Sequence, residues 1–371
     1  MQQAKARMER RTIVSVVGAR PQFIKASPVS KRLRRSFREM LVHTGQHYDL
    51  EMSGVFFRQL GIPAPDCSLG VGSKGHAEQT GEMMERLEDY LVSQSPDFVL
   101  VYGDTNSTLA GALTAAKLNL PVAHVEAGLR SFDMRMPEEV NRVVADRLSV
   151  ILFAPTQTAV QNLSREGISD GVHRVGDVML DALTEHIDAA QSSSRVLEEF
   201  GVAQGEYVVA TVHRAANTDD PEALSRIVEI LRASSMKVIL PLHPRTREAL
   251  KRSSLYGELE KAAHVALTAP LGYLDMLVLQ KNAHAVITDS GGMQKEAYLL
   301  GVPCITLREE TEWLETVADG WNTLVGTEVA RAVDAIKSFR PATPRTDRFG
   351  KGDASERILA VFEDVLAEKR R

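Results

Sequence analysis

Between Pro96 and Arg142 the chain reads PDFVLVYGDTNSTLAGALTAAKLNLPVAHVEAGLRSFDMRMPEEVNR, and this alternation constrains the fold more than any other stretch. The run FVLVY is continuously apolar, as a strand buried on both faces of a parallel sheet requires, and it stops abruptly at Gly103-Asp104. Leu109, Ala112, Leu113, Ala116 and Leu118 then recur at helical spacing behind the capping candidates Thr105, Asn106 and Ser107, and Asn119 with Pro121 ends the helix. VAHVE is the next strand, ending in Glu126-Ala127-Gly128, and Pro137 suits the first position of a further helix. Strand, crossover helix and strand imply a parallel α/β sheet.

Asp104 and Glu126 therefore stand at the C-terminal ends of two sequential parallel strands, on the rim where open α/β sheets bind ligands. Glu138, four residues before Arg142 and on its helix face, brings a third carboxylate near that rim. Asp104 also suits an Asx turn, and Glu138 also suits a dipole-complementing partner of Arg142. Three crowded acids repel one another, which suits them to taking and returning protons.

The rest of the chain repeats the pattern. TIVSVVG is a first strand whose exit loop carries Arg20 and whose following helix starts with Lys25. Cations there suit phosphate, although Lys25, Lys31, Arg32, Arg34 and Arg35 also read as one solvated face. MLVHTGQHYD is a second strand with a polar exit, and its His47 and Asp49 lack further ligands at metal spacing. Gly70 to Gly75 spell G-x-G-x-x-G, but no apolar strand leads into them, so they read as a loop before the helix HAEQTGEMMERLEDYL. From Glu206 the alternation begins again: YVVATVH, a helix from Pro221, KVILPLH, a helix from Thr246, HVALTAP, a helix from Leu271, HAVITD, a helix from Gly292, and VPCITL. Two Rossmann-like domains facing one cleft are the expected architecture. The expected boundaries are 1–177 and 178–354, with a C-terminal helix over 355–371.

In the second domain His213-Arg214 and His243-Pro244-Arg245 follow strands, where a histidine can also be structural. Ser290, Gly291 and Gly292 precede a helix, and free N–H groups at a helix start hold phosphate. Glu296, one turn in, can reach ribose hydroxyls or lie exposed beside Lys295. With 371 residues and a formal net charge of −5, the chain is large enough for two domains and poorly suited to broad nucleic-acid binding. The apolar run IVSVV is too short for a signal peptide, no stretch reaches membrane-spanning length, and the two distant cysteines, Cys67 and Cys304, suit a reducing cytoplasm.

Gly18-Ala19-Arg20-Pro21 with Lys25, Thr44-Gly45-Gln46-His47, Gly103-Asp104-Thr105, HVEAGLR from His124, Pro137-Glu138-Glu139 with Asn141-Arg142, His213-Arg214 and Thr288-Asp289-Ser290-Gly291-Gly292 together resemble the non-hydrolysing UDP-N-acetylglucosamine 2-epimerases. The resemblance runs from about residue 12 to 365. It implies a GT-B-like α/β fold, with UDP held by the second domain and the C-terminal helix returning to the first. It also implies elimination and re-addition of UDP through a 2-acetamidoglucal, needing no redox cofactor, and a homodimer is expected. Asp104, Glu126 and Glu138 would share the proton transfers while His213 assists the departing diphosphate. Arg20, Lys25, Arg142, Ser290, Gly291, Gly292 and Glu296 would bind nucleotide and phosphates, with Met276 against the uracil and His243 nearby.

This chain departs from the family pattern in places. Ala216 follows His213-Arg214-Ala215 where a glutamate is common, and Thr311-Glu312-Trp313-Leu314-Glu315 replaces a common Thr-Glu-Arg-Pro-Glu. Tyr48-Asp49 after His47 differs from members that bind a second substrate molecule as activator. Trp313 resembles the members acting on UDP-2,3-diacetamido-2,3-dideoxy-glucuronate, although that added carboxylate should favour a cation. A GT-B glycosyltransferase and a non-catalytic UDP-sugar-binding protein are the readings of another type.

Overall fold

The computed structural model describes residues 11–46, 57 and 59–368. The segment containing His47 and Asp49 lies outside them, and with it the readings of a metal and of an activator site. By contacts the chain forms two units, residues 1–185 with 347–371 and residues 186–346. The sequence places these boundaries at 177/178 and 354/355. The first divide falls instead within a continuous helix, Val178–Ser193, and the second at Thr346/Asp347.

The first unit is built on a seven-stranded parallel sheet in the order β3-β2-β1-β4-β5-β6-β7. Its strands are β1 (Thr12–Val17), β2 (Arg38–His43), β3 (Cys67–Ser68), β4 (Phe98–Tyr102), β5 (Val122–Val125), β6 (Ile151–Ala154) and β7 (Val172–Arg174). The helices between them are α1 (Arg20–Ser36), α2 (His76–Gln94), α3 (Asn106–Lys117), α4 (Pro137–Leu148) and α5 (Gln157–Arg165). The central strands are apolar because both faces are covered: Val14, Val16, Val42, Val99 and Val101 share one core with Ala112 and Ala115 of α3. Strand order reverses between β1 and β4, which defines the switch point. The edge strand Cys67–Ser68, too short to show in a sequence pattern, leads into the Gly70–Gly75 loop.

The last helix, Ala354–Glu368, belongs to this unit. Asp181 caps its start, accepting from Ala354 N at 3.1 Å, Ser355 N at 2.7 Å and Ser355 Oγ at 2.6 Å. Phe362 inserts among Phe37, Phe98 and Phe153 with ring centroids 6.3, 5.4 and 5.6 Å away, and truncating such a ring to alanine costs about 3–5 kcal/mol.

The second unit carries a six-stranded parallel sheet in the order β10-β9-β8-β11-β12-β13, with its switch point between β8 and β11. Its strands are β8 (Tyr207–Thr211), β9 (Lys237–Pro241), β10 (Val265–Thr268), β11 (Ala285–Thr288), β12 (Cys304–Thr306) and β13 (Asn322–Leu324). Three helices start slightly off the expected residues, because caps decide the first turn. His243 caps Pro244–Arg252, Gly272 precedes Tyr273–Asn282, and Ser290 caps Gly291–Leu300. Among the described residues no helix is long and apolar enough to cross a membrane.

Candidate functional site

In the first unit the exits of β1, β4 and β5 converge. Gln22 ties the first two together: its Oε1 accepts from Gly18 N at 2.8 Å and Ala19 N at 3.0 Å, while its Nε2 donates to Tyr102 O at 2.9 Å. Arg20 is the first residue of α1 and not part of the preceding loop, because Ala19 takes the cap position. Lys25, one and a half turns on, is buried and pairs with Glu126, so it is no part of the solvated face. Lys31 and Arg35 do belong to one, pairing with Glu185 and Glu356, whereas Arg32 and Arg34 are half-buried and Arg34 reaches the buried Glu39.

Glu126 follows β5 directly with φ +73°, a left-handed conformation that costs a side-chain-bearing residue on the order of 1–3 kcal/mol and persists only where its surroundings dictate it. Its N–H and that of Ala127 both donate to Phe153 O at 3.1 Å. Gly103, at φ +64°, completes the fit: a Cβ there would lie 3.0 Å from Lys25 Nζ and 3.3 Å from Glu126 Oε2.

Asp104 does not cap α3, since Thr105 takes that position. Its carboxylate instead pairs with Arg142, and its carbonyl accepts from Asn141 Nδ2 at 2.9 Å. Arg142 also donates to Glu139 at 2.5 Å, its neighbour at i−3. Glu139 accepts in turn from Ser131 N at 2.9 Å and Phe132 N at 3.0 Å, fixing the loop that leads into α4. Glu138 stands half-buried in the first turn of that helix. The expectation of mutually repelling acids is thus modified, because Asp104 and Glu126 each meet a cation.

In the second unit Asp289 organises the switch point. Fully buried, it accepts from His213 N at 3.1 Å, Arg214 N at 3.0 Å and Asn217 Nδ2 at 3.1 Å. That presents the half-exposed His213 ring at the β8 exit, 5.6 Å from the ring of His243. His243 is exposed and accepts from Arg245 N at 3.2 Å as a helix cap. Directly after Asp289, Ser290, Gly291 and Gly292 form the start of the helix Gly291–Leu300, whose N–H groups suit an anion. A Cβ on Gly291 would collide with Glu312 Oε1, and Glu312 pairs with Arg308 at 2.9 Å.

Glu296 and Lys295 are buried, which removes the reading of an exposed helix face. Burial pushes the Glu296 carboxyl above its usual range against the opposing effects of the Gln280 hydrogen bond, 2.8 Å long, and the Lys295 charge. Met276 is half-buried in the first turn of Tyr273–Asn282. Trp313 is buried, 3% exposed, with Lys295 Nζ 4.2 Å above its ring, so its flat face is already covered by a cation. Gln22, Glu139 and Asn217 shape these rims without having been singled out as site residues, whereas Asp289 stood in the Asp-Ser-Gly-Gly turn that the sequence picked out.

Each unit is a Rossmann-like sheet with charged and glycine-bearing exits at its switch point, and together they make a GT-B-like α/β protein. The family model for UDP-N-acetylglucosamine 2-epimerase matches residues 31–363. A Methanococcus maripaludis protein described as a UDP-N-acetylglucosamine 2-epimerase homolog is 51% identical over 95% of this chain and 99% of its own length. The UDP-2,3-diacetamido-2,3-dideoxy-D-glucuronate 2-epimerase of Pseudomonas aeruginosa is 47% identical over 93% of this chain and 98% of its own. The crystal structure of Methanocaldococcus jannaschii UDP-GlcNAc 2-epimerase in complex with UDP-GlcNAc and UDP superposes with a TM-score of 0.88 at 42% identity, covering 95% of this chain and 99% of that one. The chain belongs to the UDP-N-acetylglucosamine 2-epimerase family and is an epimerase.

Proposed function

We propose that this enzyme interconverts UDP-N-acetylglucosamine and UDP-N-acetylmannosamine by elimination and re-addition of UDP. The observation that carries the reading is the rim of the first unit, where Asp104 and Glu126 meet Arg142 and Lys25 at adjacent strand exits, with Glu138 in the next helical turn. A carboxylate there takes the C2 proton, the C2–H electrons form the C1=C2 bond, and the C1–O pair leaves with UDP. Return of UDP to C1 and of a proton to the opposite face of C2 gives the epimer. Two faces require at least two proton-carrying groups, which the three acids supply.

His213 stabilises the departing diphosphate, with Arg20, Lys25 and Arg142 as cations for the phosphates. Ser290, Gly291 and Gly292 hold phosphate at a helix start that Trp313 supports from beneath, Glu296 takes the ribose hydroxyls, and Met276 flanks the nucleotide with His243 at the rim. A cytoplasmic homodimer serving nucleotide-sugar metabolism and polysaccharide assembly belongs to the same reading. The pair of free thiols fits only the reducing compartment in that reading, and Cys304, pushed up to about 12 by burial, is inert.

Turnover of UDP-N-acetylglucosamine in D2O, followed by NMR, tests the proposal. Deuterium at C2 with traces of free UDP and 2-acetamidoglucal is the expected result; product retaining its original C2 hydrogen overturns it. UDP-2,3-diacetamido-2,3-dideoxy-glucuronate is the competitor substrate in the same assay.

A further inference from the structure

Behind the rim of the first unit lies a charged quartet that the proposed chemistry leaves unused: His124, Asp146, Arg130 and Glu166. His124 is 0%, Asp146 1% and Arg130 3% exposed. His124 Nδ1 lies 2.7 Å from Asp146 Oδ1, and its Nε2 lies 2.7 Å from the carbonyl oxygen of Gly103. Burial pushes the Asp146 carboxyl up, but the hydrogen bond and charge of His124, with Arg130, outweigh it and hold the group below its usual range. Both partners of the imidazole are therefore acceptors. A neutral ring has one N–H and would turn a lone pair toward one of these oxygens, whereas the imidazolium satisfies both.

The other oxygen of Asp146 accepts from Gly128 N at 3.0 Å and Arg130 Nη1 at 2.7 Å. Arg130 continues to both oxygens of Glu166 at 2.7 Å and to Leu129 O at 2.6 Å. Among the described residues, every side-chain hydrogen bond that leaves the quartet ends on backbone: Gly103 O, Gly128 N and Leu129 O. Gly103 immediately precedes Asp104, while Gly128 and Leu129 close the turn that begins at Glu126. For stability alone an apolar cluster of the same volume would serve as well or better. What the ions add is a fixed backbone on both sides of two acids, one of them in a left-handed conformation that its surroundings must enforce.

We propose that His124, held as an imidazolium by Asp146, is a positioning residue: it clamps Gly103 and so aims Asp104, while Asp146 clamps Gly128 and so aims Glu126. The inference rests on the epimerase reading, because aim matters only if these acids move protons. Its test uses His124→Gln, Asp146→Asn and, at the half-exposed outer end, Glu166→Gln. Each variant is assayed for kcat, KM and calorimetric UDP affinity, alongside 1H–15N spectra of the wild-type histidine rings.

The expected result is two ring N–H signals from His124, about 10²-fold loss of kcat in the two inner variants with KM and UDP affinity unchanged, and near wild-type turnover in Glu166→Gln. A His124 carrying one ring proton overturns the proposal, even where an inner variant fails to fold. So does a folded inner variant with wild-type kcat. Wild-type protein that shows both N–H signals but turns over no UDP-N-acetylhexosamine overturns the epimerase reading and leaves the clamp standing.

Discussion

Lys25 and Glu126 are joined side chain to side chain, the cation from α1 and the acid from the end of β5, with the two side chains 10% and 6% exposed. Removing one partner takes a counter-charge from the other in a nearly dry site, and breaking such a pair typically costs about 3–5 kcal/mol. Lys25→Met and Glu126→Gln are each predicted to destabilise the protein. The methionine variant should lose more, because a glutamine amide oxygen still accepts from Lys25 whereas methionine removes the N–H donor that Lys25 supplies to Glu126. The double variant should recover part of the loss and remain inactive. Urea unfolding of the four proteins checks this, and strictly additive losses would show that the pair does not interact.

Asp289 makes a prediction about the nucleotide site. Its carboxylate receives N–H donors from His213, Arg214 and Asn217, and an amide in its place points its own N–H2 at one of them. A lost charged acceptor and a new donor clash cost about 1–3 kcal/mol, which is roughly 5- to 150-fold in a binding constant. Asp289→Asn is therefore expected to weaken UDP binding by that order with the first unit unaffected. Calorimetry measures it; unchanged affinity would mean that the β8 exit does not shape the UDP site.

How much of this was legible in the sequence follows from what burial does to patterns. FVLVY and VAHVE announce strands because parallel sheets covered on both faces demand uninterrupted apolar runs, and the acids at their ends then fall on the rim by topology alone. The Glu139–Arg142 pair was not legible, since Glu138 and Glu139 both satisfy helical neighbour spacing. For Glu296 the sequence left a ribose contact and an exposed place beside Lys295 both open, because the burial of these two residues is imposed by residues distant in sequence, such as Trp313 and Gln280. His124 hid for the opposite reason: one histidine inside an apolar strand looks structural until its two acceptors are seen.

The buried Glu296 sets a pH dependence. Its carboxyl, raised from 4.5 chiefly by burial, binds its proton more tightly folded than unfolded, so its contribution is full below about pH 4.5 and is lost as pH rises toward the folded value. Glu296→Gln is expected to flatten that fall and to raise Tm at neutral pH, since the new amide can donate to Gln280 Oε1, which is buried without a hydrogen-bond partner. The same change should weaken UDP binding if the carboxylate receives ribose hydroxyls. Melting curves across pH with calorimetry test both halves, and a variant less stable at every pH would refute the first.

Trp313 bears on substrate choice through its packing. The ring lies under Lys295 and its Nε1 would be 3.3 Å from a Cβ on Gly291, so the side chain underpins the helix start that is proposed to hold phosphate. Arginine in its place exchanges a cation–π contact, worth about 2 kcal/mol when desolvated, for repulsion between two neighbouring cations. Trp313→Arg is thus predicted to lower Tm and to reduce kcat/KM for UDP-N-acetylglucosamine and for the diacetamido uronate by a similar factor, leaving their ratio as in the wild type. Parallel kinetics on the two substrates decide the point. A stable variant whose preference moves by tenfold or more would make residue 313 a determinant of the sugar and not a support of the phosphate-binding turn.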